Sequence, residues 1–266
     1  MVYKQSDQVS LACQLVSPAC SNLAVYNEYP SSVVPGATVW HSARTSFGEV
    51  LPDGCMDLVW RDGDVMVAGP DTRPFTVTAS SAPQVGLRFP PGLLPHLLGL
   101  PAAHLRNLRV PLADVIGGRE AARVVGLDQA DVADAFETFG RSRLTAMGPP
   151  DPVVGAAAHL LRTGSVVADV AIATRLSVRS LHRLSTRSFG YGPKTLAGIL
   201  RLQRAQDLAS RGVASAVVAA ECGYADQAHL IRESRRITGR PFGALRQAGS
   251  DANRSTPLPS GSATVA

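Results

Sequence analysis

Two stretches in the second half of this 266-residue chain repeat one pattern, and that pattern decides the fold there. The first is SVRSLHRLSTRSFGYGPKTL (Ser177–Leu196), and the second is DQAHLIRESRRITGRPFGAL (Asp226–Leu245). A shift of 49 positions places identical residues opposite each other: Leu181 and Leu230, Arg183 and Arg232, Ser185 and Ser234, Arg187 and Arg236, Gly190 and Gly239, Leu196 and Leu245. Two copies of one structural unit are therefore predicted.

The first copy has the pattern of two helices joined by a tight turn. Val167–Thr174 is short and rich in alanine, Arg175–Ser177 interrupts it, and Val178–Phe189 resumes the helical pattern. Ser177 is the predicted N-cap of the second helix, because its hydroxyl is available to the unpaired amides there.

The second copy follows the same plan. Ala216–Cys222 precedes a turn at Gly223 and Tyr224. Asp226 is then predicted to cap a helix that begins at Gln227. A short helix, a turn and a capped second helix make a helix-turn-helix, in which the first helix braces the second against DNA.

Helical geometry divides each second helix between a core face and an outer face. The predicted core face contains Tyr224, Leu230, Ser234 and Ile237 in one copy and Leu181, Leu184 and Phe189 in the other. The outer face holds the residues predicted to bind DNA: Arg179, Ser180, His182, Arg183, Gln227, Ala228, His229 and Arg232. Arginine can pair with guanine, glutamine with adenine, and a small residue can meet a thymine methyl group. One basic helix is typical of a solvated surface, but two such helices behind capped turns favour base recognition.

The positive charge of the chain is concentrated in the same region. Residues 151–248 carry 14 Lys and Arg against 6 Asp and Glu, whereas residues 1–150 carry 11 against 14. A net charge of +8 in one segment and −3 in the other predicts that only the C-terminal part meets a polyanion.

The run SVRSLHRLSTRSFGYGPKTLAGILRLQRAQDLA, followed by VVAAECGYADQAHLIRESRRITGRPFGALR, resembles the double helix-turn-helix domain of AraC/XylS-type transcriptional regulators. The resemblance covers about residues 155–247, including Arg201-Leu202 at the opening of the connecting helix. It implies that the two recognition helices enter successive major grooves about 34 Å apart. It also implies promoter DNA and RNA polymerase as partners and no enzymatic activity.

The chain departs from the family pattern at a few positions. Ser185 and Ser234 stand where the family often has phenylalanine, and Phe242 stands where it usually has proline. Because the serine change is mirrored in both copies, we interpret it as a coordinated repacking in which Phe189 fills the first space. Arg175 occupies a turn position often held by a residue that tolerates positive φ, which predicts local strain.

The first half has a different pattern, with short β-prone runs separated by turn residues such as Pro52-Asp53-Gly54 and Asp62-Gly63. The stretch EVLPDGCMDLVWRDGDVMVAGPDT resembles the β-rich N-terminal region of one AraC-type subgroup. The predicted fold class is therefore α+β, with a β-rich N-terminal domain that is an antiparallel sheet or a small cupin-like barrel, a helical linker and an all-α C-terminal domain.

Composition and breaks in periodicity divide the chain into four predicted parts. Residues 1–115 form a β-rich sensor domain and residues 116–150 a helical linker or dimerisation segment, which ends at a Gly-Pro-rich break. Residues 151–248 form the DNA-binding domain, and residues 249–266, rich in Ser, Thr, Pro and Gly, form a disordered tail. Whether the chain is a homodimer is left open.

Polar and aromatic residues of the first half predict a pocket for a small-molecule effector. The candidates are Trp40, His41, Arg44, Cys55, Asp57, Trp60 and Arg73, although core and turn positions explain each of them as well. No metal or cofactor is predicted, because the histidines His41, His96 and His104 are widely spaced and form no ligand cluster.

Two other functions are weighed against a specific regulator. A nonspecific DNA-binding protein would show steep salt dependence without sequence preference. A DNA-repair methyl acceptor using Cys55 would resemble repair regulators that carry a four-cysteine zinc site, but the cysteines Cys13, Cys20, Cys55 and Cys222 are scattered.

Since the sequence has neither a signal-peptide pattern nor a membrane-spanning apolar run, we expect a cytoplasmic protein. The operator, the sign of regulation and the effector are left open.

Overall fold

The computed structural model describes residues 25–43, 48–77 and 82–248. The strands are β1 (Val25–Pro30), β2 (Thr38–Ala43), β3 (Gly48–Val50), β4 (Met56–Arg61), β5 (Asp64–Ala68), β6 (Phe75–Val77), β7 (Gln84–Phe89) and β8 (Arg109–Pro111). Helices of the first half are α1 (Leu93–Leu98), α2 (Leu112–Ile116), α3 (Gly118–Ala121) and α4 (Gln129–Met147). Helices of the second half are α5 (Pro152–Arg162), α6 (Val167–Ala173), α7 (Val178–Phe189), α8 (Pro193–Ser210), α9 (Ser215–Glu221), α10 (Gln227–Thr238) and α11 (Phe242–Ala248).

The strands of the first half form two antiparallel sheets. One has six strands in the order β1-β2-β7-β4-β5-β8, and the other pairs β3 with β6. Asp62 and Gly63 form the two-residue turn between β4 and β5, and both have positive φ, as this hairpin geometry requires. The predicted β-rich N-terminal half and helical C-terminal half are confirmed.

Alternation along the strands gives the six-stranded sheet two different faces. One face is packed beneath α1 and α4, and its buried residues include Leu58, Trp60, Val67, Leu87 and Phe89. The opposite face carries polar and aromatic side chains and looks toward the β3-β6 sheet. The first half thus forms one core and leaves a cavity between its two sheets.

The helix predicted to be a linker or dimerisation segment contributes to that core. In α4, Val132, Phe136 and Phe139 are buried, and the helix packs against β7 and α1 of the same chain. The apolar positions of this segment are therefore used within the N-terminal half.

Helices α5–α11 surround a second hydrophobic core, which includes Leu181, Leu196, Leu202, Leu230 and Ile237. Within the described ranges, no helix combines the length and apolar character that crossing a bilayer requires. The proposed boundary near residue 150 falls between the last residues of the first core and the first residues of the second. The tail predicted at 249–266 lies outside the described residues.

The two halves touch along α8 and the turn before it. Leu51, which follows β3, packs against the second core. Gly54 has φ 82°, and a Cβ there would lie 3.1 Å from Leu196 Cδ1 and 3.4 Å from Leu200 Cδ2. Glycine suits this position because it adopts a positive φ without strain and adds no Cβ to the close contact between the β-rich half and α8.

Candidate nucleic-acid interface and ligand cavity

The first helix-turn-helix consists of α6 and α7 joined by a four-residue turn. The Ser177 hydroxyl accepts a hydrogen bond from the Ser180 amide at 3.1 Å, so the predicted N-cap is confirmed. Arg175 has φ 55° and lies in the left-handed region, as the sequence indicated. An arginine there is strained, because its Cβ crowds the backbone in this conformation.

The second helix-turn-helix consists of α9 and α10. The Asp226 carboxylate accepts from the His229 amide, which confirms the second predicted cap. Gly223, with φ 72°, supplies the left-handed turn without strain. The His229 ring is held in the turn, since its Nδ1 accepts from the Ala225 amide at 3.2 Å and the ring packs against Tyr224 in a T-shaped arrangement with ring centres 5.3 Å apart.

Each recognition helix ends in the same hydrogen bond. The Ser185 hydroxyl donates to the Tyr191 carbonyl at 2.7 Å, and the Ser234 hydroxyl donates to the Arg240 carbonyl at 2.8 Å. Both serine residues are fully buried. The mirrored serines therefore close the turn after each helix with a hydrogen bond at positions where the family often has an aromatic ring. Phe189 is buried in the same core.

The connecting helix α8 fixes the second recognition helix in place. Glu233 on α10 lies 2.8 Å from Arg236 and 3.8 Å from Arg201 of α8. Its hydrogen bond from Arg236 lowers the pKa of Glu233. The Arg201 guanidinium also lies 4.7 Å from the centre of the Tyr224 ring, a cation–π contact. Arg236 is thereby paired with Glu233, while Arg232 has no such acidic partner among the described residues.

The predicted DNA-binding residues lie on the outer faces of α7 and α10. Six are exposed, namely Arg179, His182, Arg183, Gln227, Ala228 and Arg232, and two, Ser180 and His229, are half-buried. The half-buried pair forms part of the capping turns, because the Ser180 hydroxyl accepts from Ser177 and His229 binds Ala225. Two helices with outward-facing arginines, each on a capped turn, form a surface that can meet base edges in two grooves.

Comparison with known proteins agrees with this geometry. Residues 170–248 match a family model described as a helix-turn-helix domain. The C-terminal domain is an AraC-type helix-turn-helix domain. Residues 37–111 match a domain of unknown function, DUF6597. No curated protein matches the chain.

Similar solved structures include a probable AraC family transcriptional regulator from Rhodopseudomonas palustris CGA009, at 24% identity over 37% of this chain and 97% of that chain, with a TM-score of 0.32. They also include an apo ToxT variant from Vibrio cholerae, at 12% identity over 79% of this chain and 97% of that chain, with a TM-score of 0.45. ToxT bound to an unsaturated fatty acid is 10% identical over 87% of this chain and 98% of that chain, with a TM-score of 0.42.

The half that precedes the AraC-type domain contains a cavity of about 520 Å³ between its two sheets. Three of the predicted effector residues, Trp40, Cys55 and Asp57, line it. Its volume is within the range of small-molecule sites.

Three further predicted effector residues, which the structure describes, do not line this cavity. Trp60 lies on the opposite, buried face of the sheet, where its indole Nε1 donates to the Leu127 carbonyl at 3.1 Å. His41 stacks on Tyr29 with ring centres 6.0 Å apart, and Arg73 is exposed. Strand alternation explains the positions of Trp60 and His41, since neighbouring residues of a strand face opposite sides of the sheet, whereas Arg73 lies in the connection before β6. Arg44 lies outside the described residues.

Several cavity residues were missed by sequence reasoning, namely Tyr26, Asp53, Asp71, Arg88 and Arg109. The alternation in QVGLRF places Gln84 and Arg88 on the cavity face and Val85 and Leu87 in the core. This alternation could have predicted that Arg88 lies on the face opposite the core. No sequence signal connects Asp71 with Arg109, which are 38 positions apart.

Arg88 is the centre of a charged network in the cavity. Its Nε atom lies 3.4 Å from Asp57 Oδ1 and 3.5 Å from Asp53 Oδ2, and its Nη1 atom lies 4.0 Å from Glu28 Oε2. Burial acts to lower the pKa of Arg88, but the carboxylates of Asp57 and Asp53 outweigh it and raise that pKa. Burial raises the pKa of Asp57 to about 6, against the opposing effect of Arg88.

A glycine allows the aromatic wall of the cavity to form. Gly86 on β7 lies opposite Trp40 on β2, and a Cβ on Gly86 would lie 2.1 Å from Trp40 Cε2. The indole therefore lies across the bare backbone and donates from Nε1 to Asp57 Oδ1 at 2.8 Å. Tyr26 stacks beside it, with ring centres 6.4 Å apart.

A second ion pair lies elsewhere on the cavity wall. Arg109 donates to both oxygens of Asp71, at 3.1 and 2.6 Å, and its guanidinium lies 4.0 Å from the centre of the Phe75 ring. This bidentate pair is locally neutral and joins β8 to the β5–β6 connection.

Cys55 has the properties of a structural thiol. It is 6% exposed, and burial, followed by the Asp53 carboxylate, raises the pKa of its thiol well above the ordinary value. A methyl acceptor needs an accessible thiolate, so this environment argues against the repair function. Cys222 is also a buried free cysteine, and Cys13 and Cys20 lie outside the described residues.

Proposed function

We propose that this DNA-binding transcriptional regulator recognises a specific promoter sequence through α7 and α10 and responds to a small molecule held in the cavity. The observation that carries the proposal is the repeated arginine, since Arg183 and Arg232 each lie six residues after the capping residue of a recognition helix and are exposed. In the proposal both side chains face base edges, together with the exposed residues beside them. RNA polymerase as a partner, a homodimer and a cytoplasmic location belong to the same proposal.

The test of specific recognition is a titration of the full chain against the DNA upstream of its own gene and a scrambled control, over a salt series. We expect tighter binding to the upstream DNA that persists as salt rises. Arg232→Ala should weaken binding to the upstream DNA by about 5- to 150-fold, the value of one base contact, and should weaken binding to scrambled DNA far less. Arg211→Ala is the matched control, because Arg211 is exposed in the turn after α8 and outside both recognition helices.

Equal losses on both DNAs for Arg232→Ala would indicate a nonspecific DNA-binding protein and would contradict the proposal. If the upstream DNA and its scrambled control bind equally, fragments selected from the whole genome replace the upstream DNA. Failure of every selected fragment to compete better than random DNA would then exclude specific recognition.

Contacts between the halves support regulation by a ligand. Asp53 and Cys55 line the cavity, and they flank Gly54, which touches α8. Glu49 on β3 forms an ion pair of 2.7 Å with Arg240, which follows α10. A ligand that displaces the β3–β4 segment would therefore alter the contacts of both α8 and α10. Such a ligand changes DNA binding only if its affinity differs between the two arrangements of the β3–β4 segment.

A further inference from the structure

We propose that the cavity between the two sheets binds a small organic cation, an amine or a guanidine carried on an aromatic or apolar body. This inference rests on the proposed effector site and adds the chemical class of its ligand. It is carried by the charges, the aromatic walls and the existing ion pairs of the cavity.

Among the described residues, the cavity lining has more carboxylates than guanidiniums. These are five aspartates and three arginines: Asp53, Asp57, Asp62, Asp64, Asp71, Arg61, Arg88 and Arg109. Arg109 and Asp71 neutralise each other through their bidentate pair. The second charged group is centred on Arg88. Its single guanidinium is shared by three carboxylates, those of Asp57, Asp53 and Glu28. Negative charge is therefore in excess, and it is concentrated beside the aromatic wall.

The geometry of that group leaves room for a further positive partner. Although Arg88 Nε lies within 3.5 Å of both aspartates, it makes no well-aligned hydrogen bond to either. Asp57 Oδ1 accepts from Trp40, and Asp53 Oδ1 accepts from the Cys55 amide. Because a carboxylate has about four acceptor positions, these two side chains retain acceptor capacity toward the cavity.

The remaining walls suit the body of such a ligand. Trp40 and Tyr26 stack beside the carboxylates, and Phe75 belongs to the β3-β6 side. Val50, Val59 and Met66 supply apolar surface. Aromatic faces attract cations, and desolvation strengthens this attraction. An ammonium beside Asp57 would therefore lie next to rings that accept both its charge and its apolar body.

Other ligand classes fit less well. An anion would have to displace carboxylates that already hold Arg88 and Arg109, and it would lie among like charges. A metal ion needs a cluster of ligands, but within the described ranges no group of three His, Cys, Asp or Glu side chains could hold one. The charge therefore has to be carried by an organic group.

The test compares three probes that share an indole body and differ in charge: tryptamine, tryptophol and indolepropionate. Each is titrated into the full chain by calorimetry. We expect tryptamine to bind about tenfold or more tightly than tryptophol, and indolepropionate to bind most weakly. Asp57→Asn, which keeps an acceptor for the Trp40 indole, should reduce the preference for tryptamine over tryptophol to about threefold or less. Asp114→Asn is the control, because Asp114 is exposed on α2 and does not line the cavity.

The wild-type order of affinities decides the proposal even if a variant is unstable. Tightest binding of indolepropionate, equal binding of tryptamine and tryptophol, or no tryptamine binding at millimolar concentration would each overturn it. An unchanged tryptamine preference in folded Asp57→Asn would do so as well. DNA titrations of the same wild-type preparation keep the outcomes distinct, since specific DNA binding without cation binding removes only this inference, and cation binding without specific DNA binding removes the proposed function.

Discussion

Replacing each buried serine of the repeat with alanine compares two nearly identical hydrogen bonds within one chain. Ser185→Ala leaves the Tyr191 carbonyl without its serine donor, which costs roughly 1–3 kcal/mol for a buried acceptor. The higher helix propensity of alanine offsets about 0.5 kcal/mol of this loss. Ser234→Ala is expected to cost less, because the Thr238 hydroxyl, which donates to the Ser234 carbonyl at 2.8 Å, also lies 3.2 Å from the Arg240 carbonyl and can share its one proton with it. The free energy of unfolding should therefore fall by about 0.5–2.5 kcal/mol for Ser185→Ala and by less for Ser234→Ala.

The assay is urea unfolding of the full chain, followed by far-ultraviolet circular dichroism and analysed from the shift of the midpoint at an unchanged slope. Ser188→Ala is a suitable control, since Ser188 lies on the same helix, is only half-buried and forms neither of these bonds. Equal losses for the two buried serines, or a larger loss for Ser234→Ala, would show that hydrogen bonding to the closing carbonyl does not explain the mirrored serines.

Three further substitutions test other parts of the structure. Arg175→Gly should raise the free energy of unfolding by up to about 1 kcal/mol in urea, because glycine relieves a left-handed φ of 55°, and a loss of stability would contradict this strain. Gly86→Ala should expel the Trp40 indole, shift tryptophan emission to longer wavelength and abolish tryptamine binding. Gly155→Ala is the control, because the space around its Cβ is open, and it should leave emission and tryptamine binding unchanged. An unshifted emission for Gly86→Ala would refute the close contact between Gly86 and Trp40. Burial raises the pKa of Asp57 from 3.8 to about 6, so the folded chain retains a proton that the unfolded chain loses, and stability should fall as pH rises between these values. Asp57→Asn should remove that part of the pH dependence in urea titrations, and an unchanged profile would contradict the assignment.

The DNA-binding half could be predicted from sequence because its signals are local. Ser177 and Asp226 cap helices that begin one residue later, and the apolar spacing of each helix separates its core from its outer face. The hydroxyls of Ser185 and Ser234 donate to carbonyls six residues away, and the sequence did not predict these hydrogen bonds. It showed only that both copies have serine where the family often has phenylalanine. Such short-range geometry repeats whenever the local sequence repeats.

The cavity could be predicted only in part, because its walls come from distant strands. Trp40 and Asp57 were found from residue type, but the order of the strands decides that Arg88 on β7 lies between β2 and β4 and opposite Asp57. Trp60 was predicted to bind an effector but lies in the core. Alternation along a strand shows which residues share a face, but it does not show which face packs in the core and which meets a second sheet.

The sequence alone therefore determined the repeated unit, its caps and its outward arginines, because helical spacing and capping act over a few residues. The pairing of strands determined the rest. It brought Arg88 to Asp57 and Asp53, placed Trp40 across Gly86, and set Gly54 against α8. These contacts join residues that are far apart in the chain, and their energies depend on burial and distance, which exist only once the two sheets and α8 have packed together.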